Sequence, residues 1–232
     1  MNVPVNVPVN VSVIASLLSD ASRSAMLTHL LDGRFHPAGE MALAAGITPQ
    51  TASFHLAKMM ESGVVVAEKH GRHRYYRIQK SADAEIIEQL LSLSGPVQIT
   101  SLRQSVQMEK LRHARMCYDH VAGELGVSIA DSLTERGLLY KNGMEFAVTD
   151  AGEAFFNDFG LELGELRRKR RSFCRCCLDW TERKHHVAGA LGQALAERMM
   201  QLNWLEHDSS SRAVRITEEG RERISALFDI PL

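Results

Sequence analysis

The chain has 232 residues, enough for two small domains, and 45% of them are hydrophobic, enough to form buried cores. The formal net charge is −1, and no apolar run approaches the roughly 18 residues of a membrane-spanning helix, so we expect no membrane partner. Four cysteines and an N-terminus without early charges argue against a disulfide-rich secreted protein, so we expect a cytoplasmic one.

The first predicted elements in chain order are a tail and two helices. Residues 1–11 repeat Asn-Val-Pro-Val, and we interpret them as a disordered tail. Residues 11–18 have the periodicity of a short amphipathic helix. Asp20 is a typical N-cap and predicts a second helix, which Asp32 and Gly33 end.

Residues 37–78 have the pattern of a helix, a tight turn, a second helix and a hairpin. Residues 38–45 predict the first helix, and Gly46 ends it because glycine readily adopts a left-handed backbone. Thr48 then caps the next helix, and Pro49 occupies its first turn, where a missing N–H group is tolerated.

This second helix has one apolar face and one polar face. Ala52, Leu56 and Met59 recur at helical spacing and predict the buried face. The opposite face is polar and poor in carboxylates, as expected of a helix that lies in a DNA groove. The residues that we predict to contact bases or phosphates from this segment are Thr48, Gln50, Thr51, Ser53, His55 and Lys58.

A basic hairpin follows the second helix. Residues 64–69 are rich in β-formers, Gly71 predicts the turn, and residues 72–78 alternate back as a second strand. Between residues 48 and 80 there are six Lys or Arg against two Glu, although the whole chain is nearly neutral. Such local basicity indicates a phosphate-binding surface, in which we expect Arg72 and Arg74 to hold the DNA backbone.

Four segments of this region resemble, in order, the winged helix-turn-helix of the ArsR (arsenical-repressor-like) family of bacterial transcription regulators. Residues 20–30 resemble the opening of its second helix, with Ala21 where proline is usual. Residues 46–56 resemble its turn and recognition helix, residues 63–65 resemble the exit into the wing, and residues 71–78 resemble the wing itself. The resemblance covers residues 12–94.

This resemblance implies a homodimer that binds double-stranded DNA at a palindromic operator. The family often binds metals through Cys on the helix before the recognition helix, or through Asp and His on the last helix of the domain. Here residues 40–45 contain no Cys or His, and residues 83–93 contain no His. The resemblance therefore implies no metal function at those two positions.

The helix predicted at residues 83–93 has a broad apolar face, for which two interpretations stay open. It packs on its own domain, or it forms a dimer face together with residues 11–18, as in the family. Gly95 and Pro96 break the pattern and mark the predicted domain boundary. We expect residues 95–115 to be a linker with a connecting helix.

The remainder of the chain contains an internal repeat. Residues 120–126 recur as residues 186–192 with six of seven positions identical. Each copy predicts a long helix, a hairpin and a closing helix, so we expect one domain over residues 116–232 with degenerate winged-helix-like repeats at about 116–160 and 182–232. The predicted fold class is therefore mainly α with small β-hairpins (α+β). These hairpins have few basic residues, which favours sensing or dimerisation over DNA reading.

Cysteines and histidines concentrate in the repeat domain. The i, i+4, i+7 spacing of His113, Cys117 and His120 predicts one helix face, and the repeat makes His186 equivalent to His120. Metal binding, thiol redox sensing and simple packing all remain open, and no cofactor is required. The candidate metal ligands are His113, Cys117, His120, Cys174, Cys176, Cys177 and His186.

Together these patterns favour a sequence-specific, dimeric DNA-binding repressor that a small-molecule or metal effector modulates through the C-terminal domain. The alternative is a winged-helix interaction protein, or scaffold, that binds protein partners. Salt separates them, because a DNA reader loses affinity steeply as salt rises. We find no serine elbow, phosphate loop or His-Glu-x-x-His motif, so we do not expect an enzyme.

Overall fold

The computed structural model describes residues 11–94, 102–208 and 211–232. Backbone contacts divide the chain into two compact units, Met1–Asp83 and Ala84–Leu232. The tail predicted at residues 1–11 lies outside the described residues apart from Val11. The break predicted at Gly95 and Pro96 lies outside them as well.

The first unit has a winged helix-turn-helix architecture. Its three-stranded antiparallel sheet has the order β1-β3-β2, so the wing strand β3 pairs on both sides. The elements are α1 (Val11–Leu18), α2 (Ala21–His29), a 3-10 turn (Leu30–Asp32), β1 (His36–Pro37), α3 (Ala38–Ala45), α4 (Pro49–Glu61), β2 (Val65–His70) and β3 (His73–Ile78).

Local signals place α3 and α4 at their predicted positions. Gly46 has a φ of 64°, a left-handed conformation that ends α3. The Thr48 side chain accepts a hydrogen bond from the backbone N–H of Thr51 at 3.2 Å, and Pro49 opens α4. The apolar face predicted for α4 is fully buried, through Ala52, Leu56 and Met59.

Helix α5 (Ser81–Leu93) belongs to the second unit from Ala84 onward. Glu88 is 3% exposed and forms an ion pair with the guanidinium of Arg212, which is 2% exposed. This pairing fixes α5 in the second unit, because removing either charge would leave the other buried without compensation. The division therefore falls between Asp83 and Ala84, whereas the sequence analysis placed it after residue 94. Glu88 and Arg212 are far apart in the chain, so no local sequence signal reveals their contact.

The second unit continues with α6 (Leu102–His113), which matches the predicted connecting helix. Small hairpins and helices then alternate to the end of the chain. They are β4 (Arg115–Cys117), β5 (His120–Ala122), α7 (Gly123–Glu135), β6 (Leu139–Asn142), β7 (Glu145–Val148), α8 (Asp150–Asp158), α9 (Leu163–Arg168), β8 (Arg175–Leu178), β9 (His185–Ala188), α10 (Gly189–Gln201), β10 (Leu205–His207), β11 (Val214–Ile216) and α11 (Glu218–Phe228).

The internal repeat has the same element order in both copies. The order β5-α7-β6-β7-α8 recurs as β9-α10-β10-β11-α11. Thr149 caps α8 by accepting from Gly152 N at 3.0 Å, and Thr217 caps α11 by accepting from Gly220 N at 2.9 Å. The α+β fold class and the helix-hairpin-helix reading of each copy are therefore confirmed.

The two repeats are joined reciprocally. The hairpin that precedes the second repeat pairs with the wing of the first, through Glu145 and Arg175. The hairpin that precedes the first repeat bridges to the wing of the second, through Arg115 and Ala213. One apolar core fills the space that both copies share.

The prediction that Cys117 and His120 lie on a helix was wrong. Helix α6 ends at His113, and Cys117 and His120 face each other across the β4–β5 hairpin. Tyr118 allows this two-residue turn with a φ of 61°, which is unusual for a bulky side chain. The spacing of Cys117 and His120 suits a helix and a two-residue hairpin equally, so the spacing alone selected the wrong element.

Candidate nucleic-acid interface and Cys-His cluster

The polar face of α4 is open to solvent. The predicted contact residues Gln50, Thr51, Ser53 and Lys58 are all exposed. Ser53 Oγ donates to Pro49 O at 2.9 Å, and Thr48 Oγ1 lies 2.9 Å from Thr51 Oγ1. These bonds fix the first turn of α4, the part of a recognition helix that usually contacts base edges.

His55 does not share this exposed face. It is 9% exposed, and its Nδ1 lies 3.2 Å from Arg23 Nη1 and 4.0 Å from Asp20 Oδ1. Arg23 also donates to Ser16 O at 2.7 Å and to Leu17 O at 3.1 Å. His55 therefore holds α4 against the junction of α1 and α2.

The wing concentrates positive charge at its tip. Arg72 and Arg74 are exposed, as is Lys69. Lys69 and Arg74 lie directly opposite each other in the β2–β3 register. Like charges in that arrangement repel, and an anion bound between them would relieve the repulsion.

Phe54 also lies on the exposed face of α4, although it was not among the predicted contacts. It is 58% exposed, and Lys58 Nζ lies 4.5 Å from the centre of its ring. An apolar side chain on a groove-facing surface can contact a thymine methyl group. The sequence does indicate this role, because Phe54 lies outside the apolar face formed by Ala52, Leu56 and Met59.

A buried histidine–carboxylate network supports the first unit, and sequence reasoning missed it. His36 Nε2 lies 2.8 Å from Asp32 Oδ1, and His36 Nδ1 lies 2.7 Å from Glu40 Oε2. Burial opposes a charge on His36, but the hydrogen bonds and charges of Asp32 and Glu40 outweigh it and raise the pKa of His36. Since carboxylates occupy both ring nitrogens, His36 is a charge partner here rather than a metal ligand.

Four of the seven candidate metal ligands come together in the second unit. The donor atoms of Cys117, His120, Cys177 and His186 all lie within 4.8 Å of one another. Cys117, His120 and His186 are buried, and Cys177 is half-buried. The equivalence of His120 and His186 expected from the repeat is confirmed, because each is the cross-strand partner of a cysteine in the hairpin before its helix.

The other three candidates lie apart from this cluster. His113 Nδ1 lies 3.3 Å from Glu124 Oε2. Cys174 and Cys176 are part of the apolar core. Burial raises the pKa of the Cys174 thiol to about 12 and also raises the pKa of Cys176, which makes them poor nucleophiles.

No protein-family model matches the chain. Over 205 residues it is 52% identical to YdfF of Bacillus subtilis (strain 168), an uncharacterized HTH-type (helix-turn-helix) transcriptional regulator, and the match covers 88% of this chain and 91% of YdfF. The chain belongs to the HTH-type transcriptional regulators. Since 205 residues exceed the length of either unit, the regulator shares parts of both units with YdfF.

Two further relatives match less of the chain. CmtR of Mycobacterium tuberculosis (strain ATCC 25618 / H37Rv), another HTH-type transcriptional regulator, is 34% identical over 76 residues, which are 33% of this chain and 64% of CmtR. The homodimeric winged helix-turn-helix domain of Mb0332 from Mycobacterium bovis, a possible ArsR-family regulator, is 26% identical. That match spans 44% of this chain and 82% of the other, with a TM-score of 0.32.

The protein is therefore a DNA-binding transcriptional regulator, the first of the two functions that the sequence left open. Its helix α3 contains no Cys or His, and α5 contains no His, so the metal ligands that the resembled family often has at those two positions are not found there. Among the described residues, the helices are too short or too polar to cross a bilayer.

Proposed function

We propose that this regulator is a cytoplasmic, dimeric repressor that reads a palindromic operator through α4 and the wing. The observation that carries the proposal is the exposed, carboxylate-poor face of α4 in the same unit as a basic wing. Gln50, Thr51, Ser53 and Phe54 are the base readers in this proposal. Lys58, Arg72 and Arg74 hold phosphates, and His55 positions α4 without touching DNA.

Replacing Gln50 by alanine tests the reading surface. We expect Gln50→Ala to weaken binding to the preferred duplex by about 1–3 kcal/mol, because a lost amide–base contact removes discrimination of that size. Arg72→Ala should instead weaken all sequences alike and reduce the salt slope by about one. Fluorescence anisotropy titrations at several salt concentrations measure both effects.

Matched controls come from the second unit. Gln201 and Arg168 are exposed residues of the same types, and their alanine variants should bind as the wild type does. If Gln50→Ala retains wild-type affinity and specificity, α4 is not the reading helix.

A dimer face on α5 is the second part of the proposal. Ile86, Leu90 and Leu93 are exposed at i, i+4 and i+7, so they form one apolar stripe, while Ala84 and Ile87 are buried. One side of α5 therefore packs in the second unit and not, as one interpretation had it, in a domain of residues 12–94, while the exposed stripe supports the other interpretation, a dimer face. Two copies would place two recognition helices on half-sites about 34 Å apart.

Replacing Leu90 by glutamate should convert the dimer into a monomer, because a carboxylate on a packed apolar face must be desolvated. Light scattering coupled to gel filtration at micromolar concentration measures the mass. The control is Leu43→Glu, since Leu43 is a 66% exposed leucine of α3 in the other unit. A wild-type monomer, with and without DNA, would rule out the dimer.

We place the effector site in the second unit. All four cysteines lie beyond residue 116, whereas the family's metal positions lack Cys and His here. The apolar gap between the repeats, lined by Val121, Gly126, Val187 and Gly192 among others, has a volume of about 10 Å³. That volume admits about one water molecule, so this gap is too small for an organic effector.

A further inference from the structure

The two hairpins that join the repeats each present one cysteine and one histidine as a cross-strand pair. Cys117 is paired with His120 in β4–β5, and Cys177 is paired with His186 in β8–β9. Paired residues in antiparallel strands project to the same side of the hairpin. Each hairpin therefore contributes a thiol and an imidazole to one cluster.

The spacing of the four donor atoms fits a tetrahedral ion. Cys117 Sγ and Cys177 Sγ are 3.8 Å apart, and His120 Nε2 and His186 Nε2 are 3.1 Å apart. Zinc bonds of about 2.3 Å to sulfur and about 2.0 Å to nitrogen place two sulfurs about 3.8 Å and two nitrogens about 3.3 Å apart in a tetrahedron. These two separations are already close to the tetrahedral values, and all the donor atoms lie within 4.8 Å of one another.

A carboxylate contacts the outer nitrogen of His120, and a second carboxylate lies near that of His186. Asp119 Oδ1 lies 3.1 Å from His120 Nδ1, and Asp179 Oδ2 lies 3.5 Å from His186 Nδ1. With both Nδ1 atoms facing carboxylates, both Nε2 lone pairs can converge on a cation. At His120 this is the usual outer support of a metal-bound histidine, in which a carboxylate fixes the ring and its tautomer, whereas the contact of His186 is too long for a hydrogen bond.

The backbone of the repeats is shaped to bring the histidines together. A Cβ atom on Gly126 would lie 2.4 Å from Val121 O and 3.5 Å from the Cβ of His186. A Cβ atom on Gly192 would make the reciprocal contacts, 2.4 Å from Val187 O and 3.2 Å from the Cβ of His120. Glycine at both positions lets each helix approach the histidine of the other repeat.

We propose that Cys117, His120, Cys177 and His186 bind one divalent cation of the zinc type and thereby join the two repeats. Two thiolates and two neutral imidazoles balance the charge of such an ion, which permits its burial. Binding releases the two thiol protons to solvent. Four protein ligands fill the coordination shell, so the site is closed and structural or regulatory rather than catalytic.

The test is a titration of the full-length, reduced, metal-free protein with Zn²⁺ in competition with a chromophoric chelator. We expect one Zn²⁺ per chain, and Co²⁺ in its place should give the visible absorption bands of a tetrahedral thiolate site. Cys117→Ala and Cys177→Ser should each weaken zinc binding by more than about 100-fold, since losing an outer carboxylate alone costs about 10–100-fold. Asp119→Asn should show that smaller loss and keep the tetrahedral bands.

Cys174→Ala is the matched control, because Cys174 is a 3% exposed thiol outside the cluster. It should bind zinc as the wild type does. The Cys177→Ser variant, at a half-buried position, should keep the circular dichroism spectrum of the wild type, which shows that its loss of zinc binding is not caused by unfolding. Zinc binding that is equal in wild type and Cys117→Ala, or no stoichiometric binding by the reduced wild type, would overturn the proposal.

Discussion

Replacing Asp179 by alanine is expected to lower the free energy of unfolding of the second unit by about 3–5 kcal/mol, because it leaves a buried guanidinium without its carboxylate. The side chains of Asp179 and Arg115 are both fully buried, and Arg115 Nη2 donates to Asp179 Oδ2 at 2.8 Å. The same oxygen accepts from Gly123 N at 2.7 Å. One carboxylate therefore fixes the start of α7 to the β8–β9 hairpin.

The loop between β8 and β9 depends on the other carboxylate oxygen. Asp179 Oδ1 accepts from the backbone N–H and the hydroxyl of Thr181, at 2.9 and 2.7 Å, and from Glu182 N at 3.1 Å. Alanine would leave these donors without their acceptor. Because His186 follows this loop in β9, we expect the variant to disturb the Cys-His cluster as well.

Urea unfolding followed by tryptophan fluorescence measures this effect, because both tryptophans, Trp180 and Trp204, lie in the second unit. The control is Asp131→Ala, which removes an ion pair to Lys184 Nζ at 2.9 Å. Both of those side chains are exposed, so the loss should be small. Equal losses in the two variants would show that burial of the Arg115–Asp179 pair has no energetic consequence.

Replacing Asp32 by alanine should destabilise the first unit by about 3 kcal/mol, because it removes the buried partner of His36. Asp32 also accepts from Arg34 Nε at 2.6 Å and from Arg34 N at 3.0 Å, so alanine removes a carboxylate with several donors. Hydrogen exchange of α2–α4 amides measures the loss, since the first unit contains no tryptophan. Glu61→Ala, an exposed acid at the end of α4, should have little effect. Equal exchange in both variants would contradict the account.

The same network sets the pH dependence of the first unit. Burial opposes the charge of Asp32, but the hydrogen bond and charge of His36 lower its pKa from 3.8 to about 2, so its contribution is present above pH 3.8 and is lost as pH falls toward 2. Burial lowers the pKa of His29 from 6.5 to about 4, so the first unit also loses stability as the pH falls from 6.5 toward 4. The raised pKa of His36 has the opposite sign: its contribution is present below pH 6.5 and is lost as pH rises through the folded-state pKa.

The reading head could be predicted because its signals are local. Gly46, Thr48 and Pro49 define the turn within four residues, and each acts through its own backbone conformation or cap. The repeat was equally visible, since identical residues recur at a fixed separation. Predicting the common element order required no knowledge of tertiary contacts.

Contacts between distant residues could not be predicted in the same way. Cys117 and His186 meet only because two hairpins from different repeats converge, and the spacing of Cys117 and His120 pointed to a helix instead. Glu88 and Arg212 are likewise far apart in the chain. His55 has a polar side chain on a helix with a polar face, and its burial follows from packing beside Arg23, a residue of another helix that the sequence of α4 does not reveal.

Selection of bound duplexes from a random DNA library by the full-length regulator tests the central claim most directly. The account predicts enrichment of an imperfect palindrome whose half-site centres lie about 34 Å apart, one turn of the double helix. It further predicts that Gln50→Ala enriches a degenerate version of the same sequence, while Gln201→Ala enriches the wild-type sequence. If the wild type enriches no sequence, or if the Gln50→Ala library matches the wild-type library, the regulator does not read DNA through α4.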